Sequence, residues 1–184
     1  MPVTARADGA QHRPELALKV DQWLAELDVE PVERASREGV ESWDLVLDGV
    51  RRRGVRLTVI LDPEVALVCW VHYAPPLNDS FRVSYKKLLR WNDELPFVKF
   101  AISTDERPVL TSELATGQLD RDALGLTLAR LVAVCDLLVE QSVDWLWPHA
   151  KKVPTPEGEP RNARLMARYA RELGELGTGT TPVG

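Results

Sequence analysis

Nucleophile and metal chemistry have little to work with in this chain. It holds two cysteines, Cys69 and Cys135, and three scattered histidines, His12, His72 and His149. Structural zinc takes four ligands, and neither a CxxC nor an HxxxH spacing occurs. Cys69 and His72 lie three apart on a strand-like pattern, which places them on opposite faces. Both cysteines sit in apolar stretches and read as buried small hydrophobes of a reducing compartment, not as a disulfide framework. A GxSxG elbow, a GxxxxGK[ST] loop and a GxGxxG turn after a strand are all missing. The acidic pairs Asp93-Glu94, Asp105-Glu106 and Asp120/Asp122 fall at helix ends or turns, where capping and solvation account for them. The expectation is a protein that is not an enzyme and takes no cofactor or metal.

Long hydrophobic runs are also missing. The longest, such as Val65 to Val71, fall far short of the ~20 residues of a membrane-spanning helix. The opening MPVTARADGAQHRPE has no apolar core of a signal peptide. Positive charge is in deficit, with a net charge of −5 and a pI near 5.3. A nucleic-acid partner is therefore not expected, because phosphate neutralisation needs a concentrated basic face. The expected setting is soluble and cytoplasmic, away from membranes. The charge is uneven: from His149 on, six Lys/Arg against four Glu give +2, leaving −7 for the rest.

What is present is a core. Hydrophobic residues make up 45% of 184, which suits one domain with a tail. Residues 1–13 lack periodicity and read as a flexible start. Pro14 suits a first helical turn, and Leu16, Val20, Trp23, Leu24 and Leu27 follow at helical spacing. A polar stretch from Glu30 to Glu41, with room for a helical turn before Gly39, leads to three alternating segments at 43–48, 55–61 and 67–73. The third is apolar on both faces and is expected to be the most enclosed. Short connections favour antiparallel neighbours. After Pro75-Pro76, Asn78, Asp79 and Ser80 offer caps for a second helix. Leu88, Leu89 and Trp91 are its late apolar residues, and Asn92 is a left-handed stop. A hairpin at 97–102 and 108–113 follows, then an Asp120-capped helix to about Trp147. Pro154, Pro156, Gly158 and Pro160 form a linker. Residues 161–173 can form a short helix on Leu165, Met166, Tyr169 and Leu173.

The order α-β-β-β-α-β-β-α plus a C-terminal tail indicates an α+β fold with one antiparallel-rich sheet of five strands. The domain is assigned to 14–148 and the Pro-rich linker and tail to 149–184. The linker is expected to set the tail apart from a core already complete by Trp147, while Leu165, Met166, Tyr169 and Leu173 leave a docked helix open.

The unit LLRWNDELPFVKFAIS, then RPVLTSEL, then LDRDALGLTLARLVAVCDLL, resembles the YbjN family of bacterial sensory transduction regulators. The likeness covers roughly residues 15–147 and rests on Trp91-Asn92, Leu95-Pro96, the hairpin and the Asp-started final helix. It implies a fold similar to type III secretion chaperones and a non-enzymatic domain that works by protein contact, often as a dimer. It supplies no catalytic residues.

Two features are candidates for a partner surface. In the final helix Leu124, Leu128, Leu131, Cys135, Leu138, Ser142 and Trp145 form one seam, open to burial by the sheet or to a partner. Trp145 and Trp147 sit at its end beside Pro148, and Trp is enriched at binding hot spots. Trp145, Trp147, Leu138 and Leu131 are thus the candidate contact residues for a protein partner or a second copy. Arg51, Arg52 and Arg53 read as a solvated run at a hairpin tip, with Asp44, Asp48 and Asp62 as nearby partners. The alternative function is a small-ligand sensor with an apolar cavity lined by Trp23, Trp43, Trp70 or Trp91.

Overall fold

A computed structural model describes residues 7–73, 82–141 and 156–178. Its elements are α1 (Ala7–Glu26), β1 (Glu33–Arg37), β2 (Val40–Leu47), β3 (Val55–Asp62), β4 (Ala66–His72), α2 (Arg82–Glu94), β5 (Lys99–Ile102) and β6 (Pro108–Ala115). After a 3-10 turn (Thr116–Gln118) come α3 (Arg121–Gln141), α4 (Ala163–Arg168) and α5 (Ala170–Thr178). The sheet runs β1-β2-β3-β4-β6-β5, and every neighbouring pair is antiparallel. The α+β class and the antiparallel sheet are as expected, but the strands number six.

The extra strand comes from the polar stretch. Glu38 and Gly39 have φ of 53° and 84°, and Arg37 faces Val40 directly. Two successive positive φ values are what a tight two-residue hairpin turn requires. The segment therefore folds as an exposed edge hairpin, with no helical turn and too few apolar residues to signal a strand. At the other end, α1 begins at Ala7, seven residues before Pro14.

One row shows how the core is built. Leu45, Leu57, Val71, Leu110 and Phe100 lie side by side across five strands, all buried. Above them pack Val20, Leu24 and Leu27 of α1 and the seam of α3. Trp43 is enclosed there too, its indole N–H donating to Asp21 Oδ1 at 2.6 Å. Asp120 caps α3 as expected, accepting the Ala123 N–H at 2.7 Å.

The opposite sheet face carries no helix among the described residues. β4 alternates strictly there: Leu67, Cys69 and Val71 are buried, while Trp70 stays 38% exposed and His72 is exposed. β4 is therefore not the most enclosed of the three strands, because among the described residues helices cover one sheet face only.

The tail takes the docked form that its apolar residues left open. Leu165 and Tyr169 are buried within the main core cluster, and Met166 and Leu173 pack against it. The tail is docked because Gly125 on α3 leaves room for the Tyr169 ring; a Cβ there would overlap the Tyr169 hydroxyl and Leu27.

Candidate functional site

The described part of the α3 seam, Leu124 to Leu138, faces the chain's own core. Leu131 is 0% and Leu138 2% exposed, and Leu124, Leu128 and Cys135 are equally enclosed by the sheet and α1. A side chain surrounded by its own fold offers nothing to a second chain. Trp145 and Trp147 lie outside the described residues.

The Trp-lined cavity does not form either. Trp43 points into the core, Trp70 stands on the opposite sheet face, and Trp23 and Trp91 are half-buried on different helices. The indoles do not converge on one space.

The arginine run is tied to the fold mainly through groups other than the three aspartates, although the Arg53 guanidinium also acts on the Asp48 carboxylate. Arg52 donates to the Tyr73 carbonyl at 2.9 Å, Arg53 to the Gly158 carbonyl at 2.7 Å, and Arg51 pairs with Glu140 at 3.4 Å. Its backbone is held by Asp136 of α3, whose carboxylate accepts the N–H groups of Val50, Arg51 and Arg52 at 2.6, 3.0 and 2.8 Å. Gly49 is needed beneath it, since a Cβ would collide with that carboxylate.

An apolar groove lies between α2 and the β5–β6 hairpin. Tyr85, Leu88 and Leu89 form one wall, and Phe100, Ala101, Ile102 and Pro108 the other, around about 300 Å³. Its floor is fixed by aromatic packing: Phe100 meets Tyr73 edge-on at 5.6 Å and Trp91 at 5.8 Å. Its rim is raised and wet, with Leu89 66% and Ile102 54% exposed. Lys86, Arg90, Asp93 and Glu94 line an adjoining surface depression along α2 that shares Tyr85 and Leu89 with it. An apolar centre with a mixed-charge rim is the usual anatomy of a protein contact.

Asn92 sets this geometry. It does not end the helix, which runs on to Glu94. Its amide instead acts as a short strand: Oδ1 accepts the Phe100 N–H at 2.6 Å and Nδ2 donates to the Phe100 carbonyl at 3.1 Å. The left-handed residue that turns the chain is Phe97, at φ 72°. That turn sets Phe97 under the Arg130 guanidinium, 4.0 Å from the ring centre, and its carbonyl accepts from Ser112 Oγ at 2.7 Å.

Burial pushes the thiols of Cys69 and Cys135 up to about 12, so both stay protonated. Cys69 faces the core and His72 the open sheet face, as their spacing indicates. Among the described residues no group of three or more His, Cys, Asp or Glu could hold a metal ion. No described helix is long and apolar enough to cross a membrane.

The adjacent pair Leu88-Leu89 carried the missed signal. Neighbours on a helix point about 100° apart, so when Leu88 enters the core Leu89 turns outward.

Residues 19–142 match the family model YbjN, described as "Putative bacterial sensory transduction regulator". Among solved structures, the Yersinia pestis type III secretion chaperone SycH, in complex with a stable fragment of YscM2, is similar at 20% identity. The match covers 67% of this chain and 98% of that chain, with a TM-score of 0.48. No curated protein matches the chain.

Proposed function

The chain belongs to the YbjN family, and from this premise we propose that it is a non-catalytic, cytoplasmic protein-binding regulator or chaperone-like adaptor. The observation that carries the reading is the groove between α2 and β5. It is apolar, partly open, bordered by charge and built on a rigid aromatic floor. Leu89 and Ile102 would be its contact anchors. The occupant would be a segment of a partner protein, bound by apolar burial and not by chemistry at a reactive group. Self-association through the same groove, as a two-fold dimer, is the second form of this reading.

A photo-crosslinking residue at position 89, used in the native cell, tests it. The expected product is one dominant crosslinked protein that disappears in the Ile102→Asp variant. Both positions are exposed, so the fold survives substitution. Light scattering then separates the two forms: a dimer has about twice the 20.6 kDa chain mass. A folded protein with no specific crosslink from position 89 would remove the groove from the reading.

A further inference from the structure

The segment 156–178 lies beyond the span that matches the family model, yet it makes the most specific docking contacts of any surface element described. Asn162, 3% exposed, bonds the Asp48 backbone on both sides: its Oδ1 accepts the N–H at 2.6 Å and its Nδ2 donates to the carbonyl at 3.1 Å. The Asp48 carboxylate, itself buried, accepts the Gly54 N–H at 2.8 Å and the Arg161 N–H at 3.1 Å, with Arg161 Nε 3.3 Å away. Tyr169 enters the space that Gly125 leaves beside Leu27, and Leu165, four residues earlier, is buried in the same core cluster. The Tyr169 hydroxyl donates to Asp122 Oδ1 at 3.1 Å. Arg164 pairs with Asp28 at 3.5 Å and Arg168 with Asp122 at 3.1 Å. Three arginines of the segment thus meet three aspartates of the body.

We propose that the surface between α1, α3 and the β2–β3 connection is a peptide-docking groove, held closed here by the chain's own tail acting as a releasable strap. Its intended occupant is a basic helical segment of a partner protein with the same chemistry: an asparagine to pair with the Asp48 backbone, then leucine and tyrosine three and seven residues later, flanked by arginines. The strap displays that ligand in cis. Charge complementarity supports the assignment, since residues 161–171 carry four arginines and no acid, and three of those arginines face aspartates of the body. So does the character of the ion pairs, whose arginines stay largely exposed and open to screening. The asparagine, leucine and tyrosine supply specificity that charge alone lacks. This groove is separate from the one between α2 and β5, and the proposal does not rest on it.

The test keeps the full chain and places a site-specific protease sequence within 142–155. After cutting, the protein is mixed with a fluorescent synthetic peptide of residues 156–178 and followed by anisotropy and circular dichroism. The cut protein should stay folded and exchange its strap for the labelled peptide. A peptide carrying Asn162→Ala and Tyr169→Ala should bind at least tenfold more weakly. The uncut protein should also bind the parent peptide at least tenfold more weakly, because the tethered strap competes at about millimolar effective concentration. Unfolding on cutting, or a strap that never exchanges, would overturn the proposal and make the tail integral core. Equal binding by a scrambled peptide of the same charge would overturn the recognition pattern. A dimer of the uncut protein that dissociates on cutting would overturn the partner in favour of a swapped tail.

Discussion

Replacing Asn92 with alanine isolates the contribution of one side chain to both the fold and the groove. Its amide satisfies the outward N–H and carbonyl of Phe100, at 2.6 and 3.1 Å, on a strand that has no neighbour beyond it among the described residues. Loss of the amide leaves two half-buried backbone groups unpaired, each worth about 1–3 kcal/mol when unsatisfied. Both sites are only partly buried, so water recovers some of that, and the net cost is ~2–3 kcal/mol. In a domain of this size about 1 kcal/mol shifts Tm by roughly 2–4 °C, so a drop on the order of 5–10 °C is expected in a thermal melt. Urea denaturation should give the same energy with an unchanged m-value. Asn92→Asp discriminates further: it keeps an acceptor for the N–H but turns a lone pair toward the Phe100 carbonyl, and should cost at least as much as alanine. The bared edge should also raise association, visible in gel filtration. A shift below about 0.5 kcal/mol for Asn92→Ala, or Asn92→Asp more stable than Asn92→Ala, would refute the strand-mimic account.

Other outcomes follow from the same contacts. Gly49→Ala drives a methyl into the Asp136 carboxylate and should destabilise by ~1–3 kcal/mol in urea, with Asp136→Ala partly relieving the clash. Leu165→Ala should cost ~2–3 kcal/mol, near the low end for a buried leucine because the tail can lift and relax; a neutral result would show that the tail contributes nothing to stability. Burial raises the Asp48 carboxyl, but the Gly54 and Arg161 N–H groups and the Arg161 and Arg53 guanidiniums outweigh it and hold the group below its ordinary value. A depressed carboxyl stabilises above its unfolded value and loses that contribution as pH falls, so tail docking should hold from neutrality to about pH 4 and weaken below it. Docking that strengthens on acidification, read by tail cleavage rates, would reverse the sign. Cys69 and Cys135, pushed up to about 12 by burial, should resist thiol reagents at pH 8 and react only through opening; rapid labelling of the native protein would contradict their burial.

The sequence was legible wherever one periodicity dominated. Trp43, Leu45 and Leu47, and then Val55 to Leu61, alternate with polar residues, and the sheet follows that alternation. The α3 seam kept its steps of three and four, but periodicity cannot say what covers an apolar stripe; Leu131 and Leu138 proved to face the chain's own core. β1 was hidden because an edge strand with one exposed hairpin partner needs hardly any apolar residues. Only the paired positive φ at Glu38 and Gly39 marks it, and Gly39 alone is a weak signal. Whether the tail docks stayed open in the sequence because its anchors depend on partners far along the chain: Asn162 on Asp48, and Tyr169 on Asp122 and Gly125. No local window contains both halves of such a contact. The same argument applies to Asp136, an acid in the middle of an apolar helix, which reads as a solvated position until the three N–H groups of the β2–β3 connection are set against it. A charged residue interrupting a buried face, or an outward leucine beside an inward one, therefore marks where tertiary contacts must be sought. In this chain those two signals lead to the strap side at Asp136 and to the open groove at Leu89.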